Sequence, residues 1–89
     1  MPAISMFYGI VVYMYFFDDE RHNLPHIHTR YQGSHASFSI LDGALLSGQL
    51  PVNRARLVQA WIEIHRDDLM ADWDLAVKGE APFPIDPLR

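Results

Sequence analysis

The stretch that decides the fold runs from His26 to Leu41: His26-Ile27-His28-Thr29-Arg30-Tyr31, then Gln32-Gly33-Ser34, then His35-Ala36-Ser37-Phe38-Ser39-Ile40-Leu41. Both arms alternate in character with a period of two, the signature of a half-buried strand. The glycine-containing turn between them makes the pair a hairpin with a two-residue loop. Alternate residues of a strand share a face, so His26, His28 and Arg30 project together while Ile27, Thr29 and Tyr31 project the other way. Across the turn, His35, Ser37 and Ser39 join the histidine side, and Ala36, Phe38 and Ile40 join the apolar side. One face should meet a helix, and the other is polar.

On the N-terminal side, Pro25 cannot donate a backbone hydrogen bond and closes a polar loop that begins at Asp18. Before it, Gly9-Ile10-Val11-Val12-Tyr13-Met14-Tyr15-Phe16 is β-branched and aromatic at strand length. It reads as one strand buried on both faces, with Ile10, Val12, Met14 and Phe16 on one side. Val11, Tyr13, Tyr15 and Phe17 take the other, where the tyrosines should meet something partly polar. Phe7 to Phe17 holds six of the eleven aromatics, yet it is too short for the ~20 residues a membrane helix needs. It also lacks the basic start and small-residue end of a signal peptide, so no membrane association is expected.

On the C-terminal side, Asp42-Gly43 is a further turn signal, and Ala44 to Leu50 reads as a fourth strand of uncertain register, because Leu45, Leu46 and Leu50 do not share a face. From about Pro51 or Asn53 to Lys78 the period becomes helical. Val58, Trp61, Ile62, His65, Leu69, Trp73 and Ala76 form one stripe. Pro51 suits a first helical turn and Gly79 a C-terminal cap. A break is expected near Arg66-Asp67, so one long helix and two consecutive ones both fit. The prolines of Ala81-Pro82-Phe83-Pro84-Ile85-Asp86-Pro87 predict an extended tail anchored by Phe83 and Ile85. The expected fold is a single α+β domain over residues 1–89, a four-stranded antiparallel meander covered on one face by C-terminal helix.

Composition limits the chemistry. With no cysteine there is no thiol nucleophile, disulfide or thiolate zinc site, which fits a reducing, cytoplasmic setting. No phosphate-cradling glycine loop, His-Glu-x-x-His helix or serine elbow is present. His35-Ala36-Ser37 resembles half of a two-histidine phosphoesterase motif, but no second copy exists. The net charge of −4, counted with neutral histidines, argues against a polyanion binder taken as a whole. That charge is unevenly spread. Residues 21–35 contain Arg21, His22, His26, His28, Arg30 and His35 without a carboxylate, whereas Glu63, Asp67, Asp68, Asp72 and Asp74 give the helix an acidic run.

Three segments resemble a bacterial family known as domain of unknown function 4160. They are Met1-Pro2-Ala3-Ile4-Ser5-Met6-Phe7-Tyr8-Gly9-Ile10, Leu24-Pro25-His26-Ile27-His28, and Leu57 to Leu69 continuing through Trp73. The family usually reads Pro-Pro-His-Phe-His where this chain has Leu24 to His28, and its preceding loop is shorter than Asp18 to Arg21 here. Members resemble this chain in length, and a neighbouring gene often encodes another small uncharacterised domain. The resemblance therefore implies a toxin–antitoxin-like pair and a tight protein partner, or a homo-oligomer.

The histidine face admits several uses. A half-buried hairpin needs a polar outer face in any case, and His, Ser, Thr and Arg are ordinary ways to build one. A divalent metal such as zinc could take His26 and His28, with a third ligand from His22, Asp18 or Asp19. Alternatively His26 and His28 serve as acid and base on RNA or a phosphoester, Arg30 neutralises phosphate, and Tyr31 or another aromatic stacks on a base. His65, on the apolar helix stripe, is more simply a core histidine, and Trp61 and Trp73 are core on the same stripe. A protein partner is the leading expectation, with a hydrolase and a structural homodimer as its rivals.

Overall fold

The structure, a computed structural model, describes residues 3–15 and 24–89. Five strands form one antiparallel sheet in sequence order, β1 (Ala3–Phe7), β2 (Ile10–Tyr13), β3 (His26–Tyr31), β4 (Ser34–Ser39) and β5 (Leu45–Gly48). A single helix, α1 (Val52–Val77), follows. The α+β class and meander are as expected, but the strand count is five rather than four. The additional strand is β1, hidden because its hairpin turns at Tyr8-Gly9, both with left-handed φ (51° and 78°). A tyrosine is not the Asn or Asp that usually marks such a turn. Phe16, Phe17 and the loop from Asp18 to Asn23, with His22, lie outside the described residues.

The central hairpin forms in the expected register, His26 opposite Ser39, His28 opposite Ser37 and Arg30 opposite His35, closed by Gln32-Gly33. Gln32 and Gly33 take φ of 45° and 84°, a mirror-type turn whose twist suits the strands. The inner face carries Ile10, Val12, Ile27, Ala36, Phe38 and Ile40, all buried against Val58, Trp61, Ile62 and Leu69 of the helix. Thr29, also on that side, meets its hydroxyl requirement by donating to the Ala36 carbonyl at 2.9 Å. β2 is not buried on both faces, since Val11, Tyr13 and Tyr15 are only half-buried. β5 is shorter than the expected Ala44–Leu50, and the register shift opposite Ser37 and Phe38 is why its leucines do not alternate.

The helix stripe is buried as read, apart from His65, which is half-buried. Pro51 is the N-cap rather than the first helical residue, and its carbonyl accepts from Arg54 and Ala55. The helix is one element with an interruption at His65 (φ −112°, ψ 22°), one residue before the expected break. Arg66 follows at once and donates its Nε–H to the Ile40 carbonyl at 2.9 Å, which ties the kink to the end of β4. The C-terminus closes as the glycine reading implied, Gly79 (φ 81°) donating to Ala76 and Glu80 to Leu75, a Schellman motif. Beyond it the tail packs on the body through Pro82 and Ile85, whose N–H bonds the Ile4 carbonyl of β1. Phe83 is not the anchor its ring suggested, being 70% exposed. Its backbone N–H is the anchor, donating to Asp72 Oδ1 at 2.9 Å.

Asp72 departs from the rest of the helix's acidic run, whose other members are exposed. It is only 3% exposed, and its Oδ2 has no hydrogen-bond partner. Burial raises its carboxyl above the ordinary carboxylate value, the Phe83 N–H partly opposing this and Asp68 adding to it. A carboxyl whose native value lies above the unfolded one favours folding in acid, and that contribution is lost as pH rises through the native value. Asp72→Asn keeps the acceptor for Phe83 while removing the buried charge. Thermal unfolding should therefore show the variant melting above the parent at pH 7, with the difference closing below pH 4. Equal melting temperatures at pH 7 would count against a strained carboxylate.

Candidate functional site

The outer face of the sheet is built by the same alternation that fills the core. Backbone pairing lines up two cross-strand rows. Met6, Val11, Arg30 and His35 form one, and Ala3, Tyr13, His28, Ser37 and Ser47 form the other. Directly opposed side chains in such rows stand ~4.5–5.5 Å apart at Cβ, close enough to act on one ligand. A cavity of about 120 Å³ opens here, lined by Tyr13, Tyr15, His28, Arg30, His35, Ser37, Ser47 and Gly48 among others. No acidic residue is among its described lining residues.

Its side chains support one another. His28 Nδ1 lies 3.1 Å from the hydroxyl of Ser37, itself nearly buried, and the ring packs 4.2 Å from Tyr15. These two contacts fix the plane of the imidazole. Arg30 is exposed and its guanidinium lies 5.6 Å from the centre of the Tyr13 ring, within cation–π range. Gly48 makes the β5 wall possible. It has φ +69°, and a Cβ there would stand 2.1 Å from the His35 carbonyl, which already accepts from the Gln49 N–H.

The sequence-derived site residues separate. His28 and Arg30 sit on the cavity. His26 shares their face by parity but is 1% exposed, because Trp73 of the helix lies 5.1 Å from its ring, and His28 lies 5.0 Å away on the other flank. Its Nδ1 donates to the Leu24 carbonyl at 2.8 Å, which fixes that nitrogen as the protonated one in the neutral ring. Trp73 thus acts as a cover for His26. Tyr31 belongs to the opposite face, with Arg54 4.9 Å from its ring centre, and the structure does not bring it to the cavity. His65 packs 5.6 Å from Trp61 and borders a separate cavity with the C-terminal residues Asp86 to Arg89. Among the described residues no three His, Asp or Glu side chains converge as a metal site would require, and His22, Asp18 and Asp19 lie outside those residues.

Four lining residues were not singled out from the sequence as a site. Tyr13 and Tyr15 follow from the parity of β2, which put them opposite the core side, and His35 follows from the hairpin register. Ser47 carried no readable signal, since the bulge in β4–β5 hides its register. Among the described residues the arrangement offers a guanidinium, two imidazoles, hydroxyl groups and two aromatic rings. That set suits an anion attached to a planar group.

Fold and site together define a small α+β protein with one face of its sheet covered by a helix and the other carrying a polar, aromatic cavity. The chain belongs to the family described as Domain of unknown function (DUF4160), whose profile matches residues 9–74. Neither the curated proteins nor the solved structures yield a match to it.

Gly48→Ala must move β5 away from His35 and should cost roughly 1–3 kcal/mol of stability, the range for backbone strain at a positive φ. Urea titration measures that loss. An unchanged midpoint would show that β5 does not depend on the close approach.

Proposed function

We propose that the protein acts through the open face of its sheet, binding a single strand of RNA there. In this reading it is one component of a toxin–antitoxin-like pair in the cytoplasm. The observation that supports it is the cavity in which Arg30, His28 and His35 meet Tyr13 and Tyr15. A phosphate would lie against Arg30 and the imidazoles, and a base would stack on a tyrosine, the usual division of labour in single-strand binding. None of the five carboxylates of the helix is among the described residues that line this surface.

Binding is measured by fluorescence anisotropy with a 2′-O-methyl RNA oligonucleotide in EDTA, which excludes a metal bridge. Arg30→Glu should weaken it at least about tenfold, equal to ~1.4 kcal/mol, and flatten its salt dependence. Salt-independent or undetectable binding by the parent protein would end the RNA reading.

A protein partner is the second reading, and the carrying observation is an uncovered sheet face with Met6 and Tyr8 exposed near its edge. The partner is the product of the neighbouring gene, and covering this face would silence RNA binding. Co-expression followed by size-exclusion chromatography should give a stable complex that Tyr13→Asp disrupts and Phe83→Asp, on the tail, leaves intact. A chain that elutes as a monomer and forms no complex with that product is not half of a pair. A dimer of the chain alone, broken by Tyr13→Asp, would instead favour the homodimer.

A further inference from the structure

We infer that His28 and His35 are the acid–base pair of a metal-independent RNA-cleaving site in this cavity, an inference that rests on the RNA-binding reading above. The pair differs from the one the sequence suggested because Trp73 covers His26, while His35 is exposed at the cavity. His28 faces Ser37 and His35 faces Arg30, so the two histidines stand on neighbouring strands two registers apart on one face. Diagonal positions of this kind are ~7–8 Å apart. A phosphodiester fits between two imidazoles at that spacing, each within the ~2.6–3.2 Å reach that proton transfer needs.

The step balances with the groups present. One imidazole, neutral, takes the proton of the ribose 2′-hydroxyl as that oxygen forms a bond to the adjacent phosphorus. The bond from phosphorus to the 5′-oxygen breaks, and the other imidazole, protonated, gives its proton to the departing oxygen. The products are a 2′,3′-cyclic phosphate and a free 5′-hydroxyl, and solvent restores the two protonation states. Neither water nor an oxidant enters. Arg30, beside His35, faces the non-bridging oxygens. Ser37 is a positioning residue that holds the His28 ring through Nδ1.

The full chain is incubated in EDTA with a 5′-labelled single-stranded RNA and with its 2′-O-methyl counterpart. Expected are products ending in a cyclic phosphate, no cleavage of the methylated strand, and a bell-shaped rate profile between pH 5 and 8. His28→Gln and His35→Gln should each lower the rate at saturating protein about 100-fold or more, the usual worth of a general acid or base. Ser37→Ala should lower the rate less and move the basic or acidic limb of the profile. Binding without cleavage, cleavage that disappears in EDTA, or a parental rate in either histidine variant overturns the inference and leaves RNA binding standing. Failure to bind the methylated strand removes both. Circular dichroism melts of each variant confirm that a lost rate is not a lost fold.

Discussion

The protein depends on a single tryptophan. Trp61 is fully buried, its ring lies 5.3 Å from Phe7 on β1, and its Nε1–H donates to the Asp86 carbonyl at 2.8 Å. One side chain therefore ties the helix to the sheet's first strand and to the C-terminal tail, and its apolar body and polar tip are both satisfied. A straight helix of 26 residues would measure roughly 39 Å at 1.5 Å per residue. The described residues extend only 33 × 26 × 23 Å. The interruption at His65, four residues after Trp61, lets the helix bend with the body, and Arg66 fastens the bend to Ile40. The second half of the helix then places Trp73 against His26.

One helix covers one face of a sheet, and that limit produces the functional surface. The alternation that sends Ile27, Phe38 and Ile40 under Trp61 sends His28, Arg30, His35 and Ser37 outward. Charge is divided along the same line. The helix carries Glu63, Asp67, Asp68 and Asp74 to solvent, and Arg66 pairs with Glu63 there, holding that carboxyl below its ordinary value. No carboxylate is among the described residues lining the cavity. The net charge of −4 thus conceals an uneven distribution, and protonating the five histidines would bring it to +1.

The hairpin was legible because its period of two and its glycine turn agree at every position from His26 to Ile40. The helix stripe was legible for the same reason at a period near 3.6. What parity cannot tell is what lies above a face, so His26 read as a surface ligand although Trp73 buries it. Asp72 was misplaced by the reverse error. A charge among charges reads as solvated, yet its neighbours Leu69, Trp73 and Ala76 turn its side of the helix inward. β1 was hidden by a turn whose conformation its residues do not advertise, and Ser47 by a bulge. For His26 the deciding contact, with Trp73, joins residues far apart in sequence.

The edges of the sheet direct any association to its face. At one edge β1 carries an irregularity between Ala3 and Ser5, and the tail occupies part of its free side through the bond from Ile85 to Ile4. At the other, β5 has four residues, its register shifts opposite Ser37 and Phe38, and the next residue, Gln49, already bonds the His35 carbonyl. Short, bulged or occupied edges are how sheets avoid pairing with other strands. A partner strand would have to displace the tail or pair with a distorted β5. The face asks for no such displacement, since Arg30 and His35 already stand exposed on it and Tyr13, Tyr15 and His28 are already half-open to solvent. Its polar groups suit it to water, and their arrangement around a cavity distinguishes it from a featureless polar face.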